Sequence, residues 1–171
     1  DALFFSLFLL EIGEGDEVIC PGFAHIDAVQ SVIHAGAQPI LVDIDPNTYT
    51  IDPEKIAAAI TENTKAIIPV HTFGRACDME RIMEIAEEKE IKVIEDVMQA
   101  AGALANEEDF CGTLGAIGAF SFHPSRNLGG IGDGGMLVTN DEDIYEKAVN
   151  ENNAPVICQF FHPVGLAVDD L

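Results

Sequence analysis

Short apolar runs bounded by turn residues alternate along this chain with longer stretches in which apolar residues recur every three or four positions. Ala2 to Leu10 is apolar except for Ser6. It reads as a helix entering a core, with Asp1 placed to cap it. Glu17 to Cys20 reads as a short strand closed by Pro21-Gly22, and His25 to Ala35 as a helix that Gly36 ends. Pro39 to Asp43 is a strand, followed by the turn Asp45-Pro46-Asn47. Asp52-Pro53-Glu54 opens a helix running to Ile60, with an acidic N-cap and proline at the first helical position. Lys65 to Val70 is a buried strand, Asp78 caps a helix ending near Lys89, and Ile91 to Glu95 is a further strand. Ala116 to Phe122 and Gly135 to Thr139 are two more strands, and Glu142 to Asn150 is a last helix.

Apolar strands alternating with amphipathic helices predict an α/β layer around a mostly parallel sheet, in a single domain without repeats or linkers. Such sheets bind ligands at the carboxyl ends of their strands. Polar residues gather there: Pro21-Gly22-Phe23-Ala24-His25, His71-Thr72-Phe73-Gly74, Asp96-Val97-Met98-Gln99 and Ser121-Phe122-His123-Pro124-Ser125-Arg126-Asn127. The glycine-rich stretch from Gly129 to Gly135 lacks the lysine and serine or threonine of a P-loop. It precedes a strand rather than joining strand to helix, so it is no dinucleotide fingerprint.

Charge narrows the partners. Against 8 basic side chains stand 30 acidic ones, a net charge of −22. Nucleic acid and anionic membrane surfaces both require a basic patch, and none is present. The 2–10 run is too short to span a bilayer, and no basic segment precedes it. Nearly half the residues are apolar (48%), which argues for a packed core rather than disorder. Cys20, Cys77, Cys111 and Cys158 show no C-x-x-C spacing and the histidines no H-x-x-x-H spacing, so no metal site is expected. Free buried thiols in a reducing cytoplasm are the expectation.

Read in order, the segments G-D-E-V-I-C-P-G-F, V-D-I-D-P, I-P-V-H-T-F-G, V-I-E-D-V-M-Q-A-A-G, G-T-L-G and F-S-F-H-P-S-R-N-L-G-G-I-G-D-G-G resemble the DegT/StrS-type sugar aminotransferases. The resemblance covers nearly the whole chain. It implies the large domain of the fold-type-I pyridoxal-phosphate-dependent transferases and a homodimer. The implied reaction transfers an amino group from an amino-acid donor to a nucleotide-linked keto sugar. It also implies that Asp96 faces the cofactor's pyridine nitrogen and keeps it protonated. Read without the family, an aspartate after a strand serves equally as a helix cap. Gln99 matches the residue beside the ring and its phenolic oxygen. Ser121 matches a phosphate-binding serine, and His25 falls where an aromatic residue stacks on the ring. His123 is expected to support the loop.

Three departures from the family pattern stand out. Arg126 occupies the position of the lysine that forms a Schiff base with the cofactor aldehyde. That lysine attacks as a neutral amine, whereas arginine keeps its proton. No other lysine suits: Lys65 and Lys92 sit at the amino ends of strands, and Lys55, Lys89 and Lys147 on polar helix faces or ends. The N-G-T segment that precedes D-A-L in the family, a source of phosphate contacts, is not present before Asp1. Val164 to Leu171 resembles a shortened G-x-N-x-R-M-D-D-L that has lost the asparagine reaching the partner's cofactor. The chain therefore reads as a large domain truncated at both ends, without the small carboxyl-terminal domain. Two functions stay open: a sugar aminotransferase, or a non-catalytic relative that binds cofactor weakly or serves as a partner subunit. The dehydratase branch, with histidine in place of the lysine, fits less well.

At a net charge of −22 the compact state repels itself, and salt screens that repulsion over about 10 Å at ~0.1 M. The melting temperature is therefore expected to rise as sodium chloride is added. A flat or falling trend in differential scanning calorimetry would contradict this.

Overall fold

The structure, a computed structural model, describes residues 1–151 and 158–159. Its elements are α1 (Ala2–Leu9), β1 (Glu17–Pro21), α2 (Ile26–His34), β2 (Gln38–Val42), α3 (Pro53–Ala59), β3 (Thr64–Ile67), α4 (Met79–Glu88), β4 (Lys92–Asp96), β5 (Ile117–Ser121), β6 (Gly135–Val138), α5 (Glu142–Glu151) and β7 (Cys158–Gln159). The strands form one seven-stranded sheet in the order β2-β1-β3-β4-β5-β6-β7. All neighbours are parallel except β5 and β6, which pair antiparallel.

Side-chain alternation along the strands builds three layers. Val18, Cys20, Ala66, Ile68, Ile94, Ile117 and Ala119 face one way and pack with Leu3 and Leu7 of α1, Ala28 and Val32 of α2, and Ile144 of α5. Ile19, Ile67 and Val93 face the other way, against Ile56 of α3 and Ile82 and Ile85 of α4. Burying one such leucine or isoleucine fully stabilises the fold by about 1.5–3 kcal/mol. The helix starts follow their local chemistry. Asp52 accepts from Glu54 N–H at 2.9 Å and Asp78 from Arg81 N–H at 3.2 Å. Asp1 occupies the N-cap of α1 but makes no side-chain capping bond, contrary to the sequence expectation.

The expected elements are present with shifted ends. β3 stops at Ile67 rather than Val70, because Pro69 has no N–H for the ladder. The chain nonetheless stays beside β4: Pro69 O accepts from Asp96 N–H at 2.9 Å, and Asp96 O accepts from His71 N–H at 3.1 Å. β7 and the 3-10 turn at Thr72–Gly74 were not legible in the pattern. Cys20, Cys77 and Cys111 are free and buried. Burial pushes the Cys20 thiol up to about 12, helped by the nearby Asp96 carboxylate. Cys158 has no described side chain, and the segment from Val164 to Leu171 lies outside the described residues.

One charged side chain sits in the middle of the sheet. Glu95 of β4 is fully buried, and both its oxygens are saturated. Oε1 accepts from Leu114 N–H at 2.8 Å and Gly115 N–H at 2.7 Å. Oε2 accepts from Gly112 N–H at 2.7 Å and from His71 Nε2 at 3.0 Å. His71 Nδ1 accepts from Cys77 N–H at 3.1 Å, which leaves the ring proton on Nε2. The 112–115 loop lies so close to β5 that a Cβ on Gly118 would come within 2.2 Å of Gly112 O. Only glycine fits there.

Burial works to raise the Glu95 pKa, but the His71 hydrogen bond and the Gly115 and Gly112 N–H groups outweigh it and hold the carboxyl below its ordinary value. A depressed folded value means that the stabilisation is present above the unfolded carboxylate range and fades as pH falls through the folded value. Glu95→Ala strands three N–H groups and the imidazole, and is expected to cost about 3–5 kcal/mol at neutral pH. Urea denaturation should show this deficit shrinking in acid. A loss under ~1 kcal/mol at pH ~7 would refute the assignment.

Candidate functional site

The carboxyl ends of β1, β4 and β5 meet at one edge of the sheet. Because β6 runs antiparallel, with Ser121 opposite Gly135, the glycine-rich segment arrives at the same edge. A cavity of about 1140 Å³ opens there, lined among others by Asp1, Ala2, His25, Asp27, Ser121 and Arg126. The first-turn N–H groups of α1, like those of any helix, have no intrahelical partner, Asp1 makes no side-chain bond to them, and Ala2, Leu3 and Phe4 line the cavity. A helix start of this kind favours an anion.

The predicted residues divide between this cavity and a neighbour. Ser121 ends β5 and lines the cavity, with its Oγ accepting from His123 N–H at 3.4 Å. His25 is the N-cap residue of α2, half exposed on the cavity wall. Its Nδ1 is 2.9 Å from Asp27 Oδ2. His123 contacts Ser125 Oγ at 2.9 Å through Nδ1, bracing the loop as expected. Gln99 is not in the main cavity. It lines a smaller pocket of about 370 Å³ with Phe73, Ser125, Arg126 and Asn127. Its Oε1 accepts from Phe73 N–H at 3.0 Å, holding Phe73 in a left-handed conformation with φ 57°. Arg126 lines both spaces and forms part of the wall between them.

Asp96 lies beneath the floor rather than in it. It is 1% exposed, pairs in register with the cavity-lining Ala119, and accepts from Met98 N–H at 3.1 Å. Burial pushes its carboxyl up to about 6, against the opposing pull of the Met98 N–H and the Arg126 charge. Arg126 sits within a tight turn in which a Cβ on Gly129 would meet Pro124 O at 2.6 Å. Its Nη2 donates to Asp27 Oδ2 at 3.4 Å, while its buried Nε has no hydrogen-bond partner among the described residues. The sequence reading missed two groups. Asp27, two residues past His25, passed for an ordinary first-turn acid. Glu95, a charge inside an apolar strand, was itself the signal that buried partners must exist.

The sequence matches the profile of the DegT/DnrJ/EryC1/StrS aminotransferase family over residues 1–161. The chain belongs to this family. It is 50% identical over 147 residues to a UDP-N-acetyl-3-dehydro-alpha-D-glucosamine 3-aminotransferase of Acidithiobacillus ferrooxidans, covering 86% of this chain and 40% of that protein. It is 48% identical over 147 residues to a pleiotropic regulatory protein of Geobacillus stearothermophilus, covering 86% of this chain and 39% of that one. Among solved structures, NtdA from Bacillus subtilis with bound cofactor PMP aligns with a TM-score of 0.79 at 37% identity, covering 91% of this chain and 37% of that one. The chain thus spans about two fifths of the length of these relatives. Its mostly parallel α/β sheet is that of the pyridoxal-phosphate aminotransferases. No helix among the described residues is long and apolar enough to cross a membrane, and no cluster of three metal-ligating side chains occurs among them.

A raised folded pKa means that Asp96 destabilises the fold once ionised: stability is full below the unfolded value of 3.8 and is lost as pH rises through about 6. Asp96→Asn is therefore expected to stabilise the cofactor-free chain at pH ~7 by about 1–3 kcal/mol and to flatten its stability profile between pH ~4 and ~6. Chemical denaturation across that range tests this, and equal profiles for both proteins would refute it.

Proposed function

We propose that this chain is the cofactor-cradling part of a sugar-aminotransferase-type protein. In this reading it holds pyridoxal 5'-phosphate reversibly, without a covalent bond, and as it stands does not transaminate. The observation that carries the reading is Arg126. A fixed cation, paired with Asp27, stands where the resemblance calls for a lysine that must act as a neutral amine. None of the five lysines replaces it, for none lines the cavity. Lys65 and Lys92 lie at the starts of β3 and β4, Lys89 pairs with Glu88, and Lys147 pairs with Glu11 and the carbonyl of Leu9.

The remaining residues suit the cofactor. When bound, it supplies an aldehyde that accepts an amino group and a ring that draws off electron density. Ser121 Oγ and the free first-turn N–H groups of α1 suit its phosphate. Asp96 lies behind the floor with a carboxyl that an approaching ring cation would hold ionised. His25 offers an imidazole face on the wall. Gln99 supports the loop beside Arg126 through its bond to Phe73 N–H. The substrate class by this reading is a nucleotide-linked keto sugar with an amino-acid donor, acted on in the cytoplasm by a homodimer. This chain takes part in it as a cofactor-binding or partner subunit.

Equilibrium dialysis with pyridoxal 5'-phosphate is expected to give saturable, reversible binding. Borohydride treatment followed by mass spectrometry should leave the protein mass unchanged. A reduced cofactor adduct on any cavity residue would overturn the proposal.

A further inference from the structure

Arg126 has a charged partner on α2. Arg126 Nη2 and His25 Nδ1 converge on one oxygen, Asp27 Oδ2, at 3.4 and 2.9 Å. Asp27 lies in the first turn of α2 and is 99 positions from Arg126 in sequence. The arginine side chain is only 15% exposed, yet its Nε finds no acceptor among the described residues. A guanidinium seated in a wall shaped for it would have all its donors met. This one is held by a single carboxylate oxygen at the cost of an orphaned N–H. Asp27 therefore fixes the cation. The other ionisable groups of this cavity are His25 and His34 on α2, His123 on the same loop, and Asp1 and Asp133 on the wall, with Asp96 under the floor.

We infer that Asp27 is the counter-ion of position 126, and that it would hold even a lysine placed there in its protonated form. Asp27 is thus a positioning residue that slows covalent attachment of an aldehyde by stabilising the ammonium, independently of the arginine. Attachment forms a bond from a neutral amine nitrogen to the aldehyde carbon, and the carbonyl oxygen leaves as water. An ammonium has no lone pair for that attack. An opposite charge within ~4–6 Å favours the protonated form, and a lysine in this wall would lie in the same neighbourhood of Asp27 as the guanidinium does. Restoring the lysine alone then gives slow attachment, and removing the carboxylate as well speeds it. The ion pair stands on its own geometry, and only the identity of the aldehyde rests on the cofactor reading above.

The test compares Arg126→Lys with Arg126→Lys/Asp27→Asn. Competitive labelling with acetic anhydride across pH titrates the introduced amine without any cofactor. In the single variant that amine is expected to label roughly ten-fold more slowly at neutral pH, its titration midpoint lying about one unit or more above that of the double variant. Equal labelling would overturn the inference. Pyridoxal 5'-phosphate followed by borohydride then gives an adduct at residue 126 in both variants, formed roughly ten-fold more slowly at neutral pH in the single variant. Labelling that differs as expected, with no adduct in either variant, would leave Asp27 as counter-ion and refute the cofactor reading instead. Asp27→Ala repeats the comparison without an amide, and circular dichroism checks each fold. In the otherwise unaltered chain, Asp27→Asn should speed the reaction of Arg126 with phenylglyoxal several-fold. An unchanged rate there also counts against the inference, and needs no lysine variant.

Discussion

The buried carboxylate of Glu95 holds together the edge of the sheet on which everything else is built. An ionised group removed from water is tolerated only when its lone pairs are filled, and here four donors fill them. Those donors come from two separate stretches of chain: His71 beyond β3, and Gly112, Leu114 and Gly115 in the loop before β5. One side chain therefore fixes where the segment after β3 turns, where the 112–115 loop lies, and where β5 begins. Asp96 is the next residue, on the opposite face of the strand. Ser121 is the far end of β5. The position of the candidate site follows from a charge that never touches it.

The candidate site is a cavity whose wall holds one nearly buried cation, Arg126. The cavity is lined by the first turn of α1, Ser121 and Arg126, with Asp96 buried beneath its floor. In the proposed reading, residue 126 carries a group that keeps its proton where the family resemblance calls for one that sheds it. The structure accommodates the arginine imperfectly. It has one carboxylate contact, one orphaned N–H, and a loop so tight that Gly129 admits no side chain. Asp27 holds the guanidinium directly, whereas Asp96 feels its charge through space. Asp96 has no direct cationic partner among its side-chain hydrogen bonds, only the Met98 N–H. A cationic ring placed above it would supply one.

Much of this could be read from residue order. Short apolar runs named the strands, because a sheet covered on both faces needs apolar residues on both sides of each strand. Asp52-Pro53 and Asp78 marked helix starts, because their side chains answer first-turn N–H groups within two or three residues. The carboxyl-edge residues Ser121, His25 and Arg126 were found because a parallel sheet sends its strand ends to one side. Local chemistry also placed Lys65 and Lys92 at the wrong edge. These inferences concern neighbours in sequence or a direction common to parallel strands, and such information is present in any short stretch. Tertiary structure alone decided the rest. The reversal of β6 depends on pairing between separated strands, and β7 is too short to carry a period. The pairing of Asp27 with Arg126, and of His71 with Glu95, joins residues 99 and 24 positions apart. The depth of Asp96, and hence its raised pKa, is set by what covers it. No local pattern encodes such distances, because burial and ion pairing arise only when the folded chain brings remote segments together and excludes water from between them.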